Sequence, residues 1–206
     1  MASLVANGRV LHVDLHGDAV RAMTGSMVAY TGNVEFKNAG MGGGGGFRAA
    51  LKQKAAGESL SLMDMTGQGR VYVAVDALDV SVVDLTTGDS LTIESQHVLA
   101  LSSGLKTDVK FAGLHGMTSG QGLATTIVSG QGQVAITSDV PLIGLEVSPG
   151  QPVVVDPDAY VASRGQMTMN LVSGVSWRSV VGEGSGEPFS LRFEGSGVVL
   201  IQPAER

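Results

Sequence analysis

An all-β fold made of three similar units about a pseudo-threefold axis, with one short helix near 47–56, is what this 206-residue sequence predicts. Three observations carry that expectation. A motif recurs: Gly17-Asp18-Ala19-Val20 runs on to Met27-Val28-Ala29, Gly88-Asp89-Ser90-Leu91 to Val98-Leu99-Ala100, and Gly150-Gln151-Pro152-Val153 to Tyr160-Val161-Ala162. The step from Gly to Ala is twelve residues in each copy, and an internal repeat constrains architecture before any local reading. The 30 glycines are spread at turn-like positions along the chain, as many short strands require. Apolar residues alternate with polar ones over short β-branched runs, the period of a half-buried strand.

Each copy extends in both directions. Before the leading Gly lies a strand: Val10 to Leu15, Val80 to Leu85, Leu142 to Val147. After the Ala comes another: Asn33 to Lys37, Leu105 to Phe111, Gln166 to Val172. A third shared piece reads Gly67-Gln68-Gly69-Arg70-Val71, Gly130-Gln131-Gly132-Gln133-Val134 and Gly195-Ser196-Gly197-Val198-Val199. These Gly-x-Gly pieces fit tight turns that need positive φ. Leu60, Leu62 and Asp64 are expected on one face of a strand, with Ser59, Ser61 and Met63 on the other. The units run 9–75, 79–138 and 141–202. One such unit alone is marginal in size, so the three are expected to share one core in a single domain.

The connections differ between units. The first holds Phe47 to Ala56, rich in helix formers, with Phe47, Leu51 and Ala55 at i, i+4 spacing. The third holds Trp177, the only tryptophan. Unit-specific function belongs in such loops.

Composition narrows the function classes. With 13 Lys and Arg against 19 Asp and Glu, the net charge is −6, which opposes nucleic-acid backbones. No Cys is present, so disulfides, thiolate nucleophiles and Cys-based zinc sites are excluded. The N-terminus lacks the pattern of a signal peptide, and no apolar run is long enough to span a membrane. A cytoplasmic location is therefore expected.

The order of motifs resembles the AIM24 family, through Gly25-Ser26-Met27-Val28-Ala29-Tyr30, Gly32-Asn33-Val34-Glu35-Phe36, Gly57-Glu58-Ser59-Leu60, Gly67-Gln68-Gly69-Arg70-Val71 and the closing Gly195-Ser196-Gly197-Val198-Val199-Leu200-Ile201-Gln202. The resemblance spans nearly the whole chain. It implies three tandem units, each a short double-stranded β-helix similar to the tryptophan-RNA-binding attenuation protein, and no catalytic residues to carry over. A mitochondrial branch of that family is tied to inner-membrane organisation; this chain shows no targeting presequence.

Candidate sites are few. His12, Asp14 and His16 share one face of a strand, and such side chains ligate zinc or iron. Yet i and i+4 on a strand lie about 13 Å apart, so further ligands are required; the competing reading has Leu11, Val13 and Leu15 inward and the polar residues in solvent. Asp14 aligns with Asp84 and Glu146, a repeated outward acid. Met41, the run Gly42 to Gly46 and the cations Arg48, Lys52 and Lys54 suggest an anion cradle at a helix N-terminus; a flexible linker is the preferred reading. Gly182-Glu183-Gly184-Ser185-Gly186 lacks the strand-to-helix context of a nucleophile elbow. His97 and His115 fall in a turn and a connection, without an assigned acid or base partner. Glu58, Gln121 and Glu187 recur after Gly and read as turn-satisfying groups.

No catalytic, cofactor-binding or metal residue is thus assigned, and no cofactor is expected. The function predicted is a non-enzymatic scaffold or interaction protein of the AIM24 type, a self-associating homo-oligomer with an unidentified protein partner and with nucleic acid disfavoured. The alternatives are a small-molecule or RNA-binding module, and a metal-dependent β-helix enzyme using His12.

Overall fold

The computed structural model describes residues 2–41, 61–112, 123–173 and 189–203. Strands make up 76% of these, in antiparallel sheets, so the all-β expectation holds. The chain divides into two compact units, Met1–Val140 and Pro141–Arg206.

The first unit contains β1 (Ser3–Asn7), β2 (Val10–Met23), β3 (Met27–Met41), β4 (Ser61–Val73), β5 (Asp79–Leu85), β6 (Ser90–Glu94), β7 (Val98–Ser102), β8 (Lys106–Ala112), β9 (Leu123–Ser129) and β10 (Gly132–Ser138). One sheet runs β3-β4-β2-β7-β10-β5, with β1 also paired to β2. In a second group, β9 lies between β6 and β8. The core of the large sheet is aliphatic, from Leu4, Leu11, Val13, Leu15, Val20, Met65, Val71, Val73 and Leu99. Alternation explains it: Leu11, Val13 and Leu15 of β2 pair with Val73, Val71 and Gly69 of β4, and paired residues share a face.

The second unit is built on β14 (Phe189–Ile201), which pairs with β11 (Ile143–Val147), β12 (Val153–Val155) and β13 (Tyr160–Ser173). Tyr160 and Phe193 stack with ring centres 5.4 Å apart.

Several sequence expectations need correction. The Gly17 turn does not end a strand: β2 runs through it as a bulge between His16 and Ala19 while keeping its partner β4. Gly67-Gln68-Gly69 is likewise no turn, but lies inside β4. A glycine with positive φ bends a strand sharply without ending it, and β3 and β4 cross where Gly32 faces Gly69. A Cβ on Gly32, whose φ is +89°, would stand 2.5 Å from the Gln68 carbonyl oxygen and 2.8 Å from Gly69 Cα. The bend brings Tyr30 within 5.2 Å of Phe36, edge to face. In β4 the expected alternation is present, and both faces bury apolar side chains. Met63 and Met65 enter the core, and Leu62 on the other face is buried too. Ahead of the first expected unit, Ser3–Asn7 supplies β1. The expected helix near 47–56 lies outside the described residues, as do Trp177, His115, Gly42–Gly46, Gly182–Gly186, Glu58, Gln121 and Glu187.

Three strand pairs, β3–β4, β7–β10 and β13–β14, carry a β-bulge, an extra residue opposite one on the partner. In β3 it is Val28, between Met27 facing Val73 and Ala29 facing Tyr72. In β7 it is Leu99, between Val98 facing Ile136 and Ala100 facing Ala135. In β13 it is Val161, between Tyr160 facing Ile201 and Ala162 facing Leu200.

Candidate functional site

Because the odd-numbered aliphatics of β2 turn to the core, His12, Asp14 and His16 project from the opposite face. The register sets Tyr72, Arg70 and Gln68 of β4 directly across from them. Arg70 answers Asp14 with both arms of its guanidinium: Nε donates to Oδ1 at 2.6 Å and Nη2 to Oδ2 at 3.0 Å. This planar fork matches a carboxylate well. The Arg70 bonds hold the Asp14 carboxyl below its ordinary value, against the opposing effect of burial. Arg70 is raised in turn by Asp14. The His12 ring meets Tyr72 edge-on, centres 5.0 Å apart.

Asp14, Leu15, His16, Gln68 and Gly69 line an open depression of about 360 Å³. Asp18 closes the neighbouring bulge. Its carboxylate accepts from the His16 amide at 3.2 Å and from the Ala2 amide; partial burial pulls its pKa up, but these backbone donors leave it below the usual carboxylate range. What was read as a candidate ligand row is thus a charge-paired strand face. Both Asp14 oxygens are engaged, and among the described residues no three His, Cys, Asp or Glu side chains gather to hold a metal ion. Asp84, the aligned acid, accepts from Gln133 Nε2 at 3.0 Å.

A second polar cluster escaped the sequence reading. His97 ends a short 3-10 turn, Ser95–His97, and is buried. Its Nε2 stands 3.4 Å from Glu94 Oε2 without forming a well-directed hydrogen bond. Beside it, Ser95 Oγ and Thr126 Oγ1 lie 2.9 Å apart, and the Thr137 hydroxyl donates to the His97 carbonyl at 3.4 Å. The only signal in sequence was an acid three residues before a histidine.

The geometry defines an antiparallel all-β protein in which polar side chains such as Asp14 and Arg70 pair across strands. No helix among the described residues is long and apolar enough to cross a membrane. The chain belongs to the AIM24 family: the family model described as "Mitochondrial biogenesis AIM24" matches residues 4–204. Among solved structures, the X-ray structure of protein SPYM3_0169 from Streptococcus pyogenes is similar with a TM-score of 0.74 at 21% identity, covering 100% of this chain and 94% of that one. At that identity the likeness speaks for the fold alone. Comparison with curated proteins yields no match.

Proposed function

We propose that this chain is a non-enzymatic scaffold or interaction protein that self-associates. In this reading it is one domain of three tandem units, 9–75, 79–138 and 141–202, each a short double-stranded β-helix of the attenuation-protein kind, about a pseudo-threefold axis. Matched details support the three units. The bulges at Val28, Leu99 and Val161 occupy corresponding positions. So do the pairs Leu15–Gly69, Leu85–Gly132 and Val147–Gly197.

One observation carries the self-association. In the second copy Val98, Leu99, Ala100 and Leu101 are wholly buried, and in the third so are Tyr160, Val161 and Ala162. In the first copy the counterparts stand in solvent: Met27 is 37% exposed, Val28 65% and Tyr30 49%. A run that is core twice and surface once is a surface suited to a partner. Native mass spectrometry of the purified chain tests the reading. An integer multiple of the chain mass at micromolar concentration is expected; a bare monomer there refutes self-association, and removable extra mass points to ligand binding instead. A cytoplasmic location is part of the proposal, and cell fractionation checks it.

A further inference from the structure

Asn7 ends β1, and Gly8 opens the turn into β2. The chain has four asparagines, followed in turn by Gly8, Val34, Ala39 and Leu171. The backbone nitrogen of the following residue can attack an asparagine carboxamide, and a side chain on that residue obstructs the attack. Asn7 alone has a successor without one, and asparagine is among the chemically labile residues of proteins.

The hairpin adds three features to that sequence. Gly8, with φ +61°, and Arg9 form a two-residue turn of the type that places glycine first. Nothing lies within 4 Å of a Cβ built on Gly8, so the approach to it is open. Asn7 is exposed, and among the described residues neither its carboxamide nor the Gly8 N–H has a hydrogen-bond partner. As a strand residue Asn7 is extended, and attack waits on a rotation that opens the turn locally. Two contacts restrain the opening. The Val80 amide donates to the Gly8 carbonyl at 3.0 Å, and Arg9 Nε stands 3.7 Å from Asp79 Oδ1. The second is a long, largely solvated pair of little strength. Every group involved belongs to the first unit.

We propose that Asn7 is a site of spontaneous deamidation, and that its product loosens β1 from the sheet. Solvent base takes the proton from the Gly8 nitrogen. That nitrogen bonds to Asn7 Cγ, the Cγ–Nδ2 bond breaks, and ammonia leaves with the proton. Water then opens the cyclic imide. Cleavage between the nitrogen and Cγ gives aspartate; cleavage between the nitrogen and the Asn7 main-chain carbonyl carbon gives isoaspartate. Isoaspartate carries the main chain through the former side chain, which lengthens it by a methylene. The ladder from Ser3–Asp14 to Asn7–Val10 has a fixed register and no place for the added atom. Leu4, buried in the core with its amide bonded to Gln133 Oε1 at 2.8 Å, is the anchor on which the altered link pulls.

The full chain is incubated folded at slightly alkaline pH, sampled over days, digested and mapped by peptide mass, with an isoaspartyl methyltransferase marking isoaspartate. Asn7 is expected to convert at least ~10-fold faster than Asn33, Asn38 or Asn170, and Gly8→Ala to slow that conversion at least ~10-fold. Circular dichroism checks that the variant is folded, and Asn7→Ser, which has no carboxamide, gives the background of the label. Hydrogen exchange then compares fresh and converted chains: the amides of β1, Leu4 included, should lose protection on conversion. An Asn7 that stays intact in the folded chain, while the same chain in denaturant converts, overturns the proposal, since the hairpin then shields the step. Conversion at one rate at every asparagine overturns it as well. A converted chain whose β1 amides stay protected keeps the modification site and overturns the loosening of β1.

Discussion

Replacing Gly32 by alanine isolates the energetic weight of the strand crossing, because the chain contains a matched control. Gly32 has φ +89° and Gly88 has φ +92°. A side chain at either site carries the same backbone strain, about 1–2 kcal/mol for an L-residue. Both also gain the same few tenths to ~1 kcal/mol from a stiffer unfolded chain. Those effects cancel in the comparison. What remains is space. Nothing lies within 4 Å of a Cβ on Gly88, whereas one on Gly32 meets the Gln68 oxygen at 2.5 Å and Gly69 Cα at 2.8 Å. Both obstacles are backbone, so β4 must move away. Overpacking costs ~1–3 kcal/mol, and a disturbed ladder loses one bond of about 0.5–1.5 kcal/mol. Gly32→Ala should therefore be destabilised by about 2–4 kcal/mol more than Gly88→Ala. For a chain of this length that is ~4–16 °C in the unfolding midpoint. The assay is thermal unfolding followed by far-UV circular dichroism, at a concentration where the chain is monomeric. Midpoints within about 1 °C of each other would refute the claim that close backbone approach requires glycine there.

Three further outcomes are expected. Leu99→Ala, in a wholly buried bulge, should cost ~2–5 kcal/mol, whereas Val28→Ala at the matching exposed bulge should stay within about 0.5 kcal/mol in the monomer; denaturant unfolding of the pair checks this. Arg21 is half-buried and donates from Nη2 to the Leu105 carbonyl at 2.6 Å; burial lowers its pKa and the charge of Asp64 resists. Arg21→Met should cost ~1–3 kcal/mol by orphaning that carbonyl, read by the same unfolding curves. The Arg70 bonds depress the Asp14 pKa below 3.8, so the pair's contribution is present above that ordinary value and disappears as pH falls through the lower folded one. Asp14→Asn should therefore flatten the acid limb of the stability profile. Its effect at neutral pH should be smaller than that of Gly32→Ala, since the pair is largely solvated; a pH series of melting curves measures both.

Much of the local structure was legible because it follows from alternation. Leu11, Val13 and Leu15 point inward as their period demands, and His12, Asp14 and His16 point outward. The glycines were legible as places of unusual φ, but not as to what that φ does. A positive φ serves a turn and a bend inside a strand equally well, and only the partner strand decides. Hence Gly67-Gln68-Gly69 read as a turn and is part of β4. The Asp14–Arg70 pair spans 56 residues and depends on a register that no local window contains. The same holds for β1, whose five residues carry too little pattern to announce a strand without β2 beside them. The candidate site changed character for this reason: a row of ligand-type side chains was visible, but the guanidinium facing it was not.

The Leu4 amide donates to Gln133 Oε1 at 2.8 Å, tying the start of the chain to a strand 129 residues later. During synthesis that tie cannot form until β10 has left the ribosome. Until β7 emerges, the edge of β2 around Val20 to Ala22 has no partner either. A growing chain therefore passes through lengths at which the hairpin of β3 and β4 is complete while the sheet beside it is open. Contacts so distant in sequence slow folding, and an open apolar edge in the waiting chain invites pairing with another chain. The first unit is thus completed near its own last strand, and the pace of translation through residues 74–138 sets how long the unfinished sheet stays exposed.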